Sequence, residues 1–82
     1  MVYKLSMITD EVVTVGMVNA KPQYVIWKNR SYKITQIGLH HTYRKGTTLY
    51  HIFSVMAESL FLRIKLDSET LLWKLEEVES EF

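Results

Sequence analysis

Three histidines, two couples of adjacent carboxylates and a set of cations interleaved with aromatics are the residues here whose types could do chemistry. His40, His41 and His51 are of the metal-ligating type. Alternation about a turn centred on Gly46 sets His41 opposite His51 across two strands and points His40 the other way. Two imidazoles fall short of the three or four protein ligands that zinc takes, and no carboxylate shares their face, so neither metal nor other cofactor is expected. Asp10-Glu11 and Glu76-Glu77 could form carboxylate couples, but adjacent residues on a strand face opposite sides, and nothing pairs them with a base. Ser54, Ser59 and Ser68 have no histidine placed to activate them, and the three glycines form no phosphate loop. The expectation is a protein that is not an enzyme.

What remains is binding. Lys33, Arg63 and Lys65 share a predicted outer face with Tyr50 and Phe61, and Arg44 and Lys45 carry positive charge into the adjoining loop. Cations for phosphates beside aromatic rings for bases are how small barrels hold single-stranded nucleic acid. The same residues also suit a plainer purpose, because aromatics cover the flank of a core and basic side chains guard strand edges against aggregation. A docking module for a protein partner, or a homodimer joined through an edge strand, is therefore the leading expectation; a nucleic-acid-binding module is the alternative.

The elements that must position these side chains read as strands. Pro22 to Ile37 forms a hairpin whose apolar, aromatic-rich arms flank the turn Lys28-Asn29-Arg30, with Trp27 and Tyr32 on either side; Asn29 tolerates the positive φ such turns need. Upstream, Val12 to Val15 is a β-branched run, and Gly16 with Asn19 to Pro22 makes a connection. Residues 1–10 read as an N-terminal arm or a short strand. The Gly46 hairpin sets Ile37 against Val55 and Leu39 against Phe53. A turn at Glu58-Ser59 sets Val55 against Leu62 and Phe53 against Ile64, and a last one through Ser68 to Leu71 sets Trp73 against Leu66 and Leu75 against Ile64. Trp27, Tyr32 and Ile34 have one parity and Ile37, Leu39 and His41 the other, which demands a bulge or bend between Ile34 and Gly38. Trp27, Tyr32, Ile37, Leu39, Phe53, Val55, Leu62, Ile64, Trp73 and Leu75 are the predicted core. The fold expected is an all-β, five- or six-stranded antiparallel barrel of SH3-like type, built from consecutive hairpins, with a sandwich as second choice.

At 82 residues the chain is one small domain, and 48% apolar with 12% aromatic content is enough to fill a core. Having no cysteine, it has no disulfide or thiolate site, which fits a cytoplasmic protein. No apolar run approaches a membrane span, and the N-terminus lacks the form of a signal peptide. The net charge of +1 conceals a division: from Lys21 to Leu66 eight basic residues face the single acid Glu58, whereas from Asp67 onward six acids face Lys74 alone. Residues 79–82 read as an acidic tail.

The pattern Pro22, Tyr24, Trp27, Arg30, Tyr32, Ile34, followed by Phe53-Ser54-Val55 and Trp73-Lys74-Leu75, resembles a family of small uncharacterised bacterial proteins catalogued as a domain of unknown function. The resemblance covers roughly residues 11 to 78. Asn29 stands where that family has a turn glycine, and His41 where it tends to have tryptophan. Members often lie near genes for error-prone DNA polymerases, so the resemblance implies a small β fold and a slight lean toward DNA metabolism.

Overall fold

The computed structural model describes residues 4–81 as six antiparallel strands: β1 (Lys4–Val18), β2 (Lys21–Trp27), β3 (Arg30–Lys45), β4 (Thr48–Ala57), β5 (Leu60–Asp67) and β6 (Trp73–Glu81). Each pairs with the next, and β6 returns to β1, closing the sheet into a barrel. Of the two strand counts expected from sequence, six is the observed one. At the N-terminus the arm-or-strand alternative resolves from Lys4 onward, where the chain belongs to β1, and at the other end Glu79 to Glu81, read as part of an acidic tail, continue β6; residues 1–3 and 82 of those readings lie outside the described residues. There is no acidic tail among the described residues, because these positions pair with Lys4, Leu5 and Ser6 on one side, and Glu79 and Ser80 with Phe61 and Leu60 on the other.

Four of the five connections are two-residue turns, and each has a left-handed backbone angle at one or both positions. Asn19 and Ala20 (φ 52° and 64°) join β1 to β2, and Lys28 and Asn29 (φ 52° and 61°) join β2 to β3. Two successive positive φ values define the type I′ turn, whose twist matches that of the flanking strands. Gly46 alone is positive (φ 63°) in the β3–β4 turn, as at the first position of a type II′ turn. Glu58, at 58°, begins the β4–β5 turn. The longer β5–β6 connection is held by Asp67, whose carboxylate accepts the amides of Glu69 (2.8 Å) and Thr70 (3.1 Å). Gly16 lies within β1, not in a connection as the sequence suggested. It pairs with Tyr24, whose ring occupies the space a Cβ would take.

The interior is a column of apolar side chains drawn from every strand. Val13, Val25, Tyr32, Ile34, Phe53, Val55, Ala57, Leu62, Ile64, Trp73, Leu75 and Val78 are buried together, with Trp27 and Ile37 packed against them. The one predicted core residue that fails is Leu39, which is 56% exposed. The reason is the bend in β3, which comes as two register shifts, between Ile34 and Gln36 and between Ile37 and Leu39. Each extra residue turns the following side chains over, so Ile37 faces Val55 in the core while Leu39 faces Ser54 outside.

Candidate functional site

The β3–β4 turn decides where the histidines lie, because it holds two residues, Gly46 and Thr47, and sets the register from Lys45 back to Leu39. Beyond Gly38 the β3–β4 register is one residue off a symmetric pairing, so His40 stands opposite Phe53 and His41 opposite Ile52. The expected His41–His51 pair does not form. Instead His40, though exposed, lies on the same face as Phe53, stacks on it with ring centroids 4.1 Å apart, and meets His51 with Nε2 3.0 Å from Nδ1. One imidazole donates and the other accepts, so both polar atoms are satisfied at the end of the core. Among the described residues no group of three or more His, Cys, Asp or Glu side chains is arranged to hold a metal ion.

The expected basic face is divided by acids from the next strand. Tyr50, Phe61, Arg63 and Lys65 do share the outer surface of β4 and β5, paired through Ile52–Lys65, Ser54–Arg63 and Met56–Phe61. But a register shift in β6 beside Ile64 brings Glu76 and Glu77 both to Arg63, at 3.5 and 3.0 Å, and Glu76 also to Lys65, at 3.4 Å. Lys65 lies 5.1 Å above the Tyr50 ring and directly across from Lys74, which is itself bound to Asp10 at 3.3 Å. Burial alone would lower the Lys65 pKa; attraction from the Glu76, Tyr43 and Asp10 side chains, with a hydrogen bond to Glu76, outweighs it and leaves the amine above its ordinary value. The concavity beside it, about 260 Å³ between Tyr50, Asp67, Thr70, Leu72 and the two lysines, is below the size of most small-molecule sites.

The other predicted cations lie toward opposite ends of β3. Lys33 pairs with Tyr24 near the β2–β3 turn, whereas Arg44 and Lys45 sit at the far tip of β3 opposite Leu49 and Thr48. Twelve residues of strand separate Lys33 from Lys45, at most roughly 40 Å were the strand straight, in a molecule whose long axis is 45 Å. Lys33, Arg44 and Lys45 form no ion pair among the described residues.

A feature that the sequence reading missed emerges on β3 itself. β2 accompanies β3 only from Arg30 to Lys33, and beyond that the two strands part around an open, polar gap lined by Lys21, Pro22, Gln23 and Ile34 to Ile37. From Ile34 to Lys45 the ladder therefore has a partner, β4, on one side only. Along this free edge Leu39 and Tyr43 (40% exposed) present apolar side chains on the outer face, with His41 between them. Tyr43 stacks on Tyr50 at 5.2 Å, which fixes its ring against the sheet. The length of β3 against that of β2, sixteen residues to seven, was the available signal.

No protein-family model matches this chain, and no curated protein or solved structure matches it. The family resemblance noted above therefore stands on its motif residues alone.

Proposed function

We propose that this domain is a non-catalytic docking module of the cytoplasm that adds a protein strand to the free edge of β3. The observation that carries this reading is the unpaired stretch of β3 beyond Lys33, with exposed apolar side chains in its middle. An exposed edge supplies main-chain hydrogen bonds for affinity, while alternate side chains supply selectivity. Edges that are not used are normally blunted by charge, proline or a bulge. Here bulges stand at Thr35 and Gly38 and cations at Arg44 and Lys45, but Leu39 to Tyr43 carries none of these devices.

The nucleic-acid alternative draws support from the Tyr43–Tyr50 stack beside Arg44 and Lys45; the carboxylates on Arg63 and Lys65 weigh against it. Both readings are tested by isolating the protein from its native host after nuclease treatment, beside the double variant Leu39→Lys, Tyr43→Lys. Docking predicts a defined protein retained by the unmodified chain and lost from the variant, with amide exchange slowed over Thr35 to Lys45. Retention by both forms would refute it. Binding to single-stranded or duplex nucleic acid that weakens with salt would favour the alternative.

A further inference from the structure

We infer that the partner strand on this edge is β3 of a second copy, running antiparallel about a two-fold axis at His41; this rests on the edge-docking reading above. A dyad perpendicular to the sheet keeps the outer faces of both copies on the same side, so residues that meet across it must share a face. Leu39, His41 and Tyr43 are outer, alternating with His40 and Thr42. An axis at His41 sets Leu39 of each copy against Tyr43 of the other, so the two most exposed apolar side chains of the edge cover one another twice.

Neighbouring registers do worse. Moving the axis to Thr42 sets Leu39 against the cation of Lys45 and His40 against Arg44. Moving it to His40 sets Tyr43 against Ile37, which lies beyond the Gly38 bulge and faces the core. With the axis at His41, the only residues that meet their own counterparts are the two His41. The basic tips point apart: the two Arg44 positions are six residues of strand from each other, roughly 20 Å, well beyond the screening length of about 8 Å at physiological salt.

The open edge of β1 is a weaker partner for β3. Its acids Asp10 and Glu11 suit Arg44 and Lys45 in charge, but both are engaged within the chain: Asp10 holds Lys74, and Glu11 accepts the Trp27 indole N–H at 2.9 Å. Pairing β3 to β1 would also join unlike edges, and closes at two copies only if the reciprocal β1–β3 ladder forms at the same time.

Because the chain has no cysteine, single introduced thiols report the register without background. Across an antiparallel pair, directly opposed Cα atoms are about 4.5–5.5 Å apart, within the span of a disulfide. The purified protein is expected to sediment as a concentration-dependent dimer; His41→Cys should form a disulfide-linked dimer under mild oxidation, Arg44→Cys should not, and Leu39→Lys with Tyr43→Lys should remain monomeric. A monomer at every concentration, with His41→Cys not crosslinked, would overturn the second copy as occupant while leaving edge docking to its own test. Crosslinking through Arg44→Cys would overturn the register. A dimer that survives Leu39→Lys with Tyr43→Lys would overturn the inference, because the copies would then meet through another surface, while edge docking keeps its own test.

Discussion

Replacing Trp73 with alanine tests the architecture most directly, because two tryptophans in one small domain are held in different ways. Trp73 is 8% exposed, leans on Phe53 with centroids 5.8 Å apart, and pairs with both Val13 and Leu66, where β6 is seamed to its two neighbours. Cutting it to alanine removes the largest ring in the interior and leaves a cavity between rigid strands, a change that costs about 3–5 kcal/mol. A domain of 82 residues has a total stability of about 4–12 kcal/mol, so the variant should be near its folding threshold. Trp27 lies at the edge of the core, beside Tyr32 at 6.1 Å and under Lys28 at 5.0 Å, and its N–H reaches exposed Glu11. Its loss should cost roughly half as much, since less area leaves water and a hydrogen bond of this kind contributes only about 1 kcal/mol. Urea unfolding followed by circular dichroism, with the remaining tryptophan as a second probe, would give both values. Equal losses, or a greater one for Trp27→Ala, would refute the burial order on which the barrel is built.

Three further outcomes are expected. Ala20→Gly should raise the melting temperature, because Ala20 holds φ at 64° in a type I′ turn where a Cβ costs about 1–2 kcal/mol, only partly offset by the entropy glycine adds to the unfolded chain; an unchanged or lower melting temperature would count against the turn. Ending the chain after Val78 should lower stability sharply, since it strips the partners of Lys4, Leu5 and Ser6 in β1 and of Leu60 and Phe61 in β5; thermal unfolding unchanged from the full chain would mean that this part of β6 is not paired. For Lys65 the raised pKa means that its pairing with Glu76 stabilises the fold fully below about pH 10.4, the ordinary lysine value, and is lost as pH rises through the higher folded value. Glu76→Gln should therefore flatten the alkaline part of the stability profile, and an unaltered profile would show that the pair contributes nothing.

Much of the barrel was legible because short turns and alternation leave little freedom. The β4–β5 pairing set by Glu58-Ser59 and the Trp73–Leu66 and Leu75–Ile64 matches occur as read from sequence. The β3–β4 hairpin was only half legible. Its turn is Gly46-Thr47, two residues and not three, so pairs near the tip sit one position away from a symmetric register; the bulge at Gly38 then restores it, which is why Ile37 does meet Val55 while His41 misses His51. Two irregularities that cancel leave no trace in an alternating pattern. The divided basic face was hidden for a related reason. The register through Leu75 and Ile64 already sets Glu76 against Arg63, but Glu77 arrives there only through a shift in β6 that alternation would not reveal.

The closing ladder between β1 and β6 has a consequence for how the domain forms and fails. Five of the six ladders join strands that are neighbours in sequence, whereas β1 and β6 bring together residues 60 to 77 positions apart, from Val13–Trp73 to Lys4–Glu81. Hairpins close quickly, while a contact of that span must first meet the entropy of closing nearly the whole chain. This ladder is therefore expected to form after the folding barrier. Substitutions within it should hasten unfolding and leave refolding nearly unchanged, so that the lifetime of the folded domain is governed by one junction while its rate of formation is governed by the hairpins.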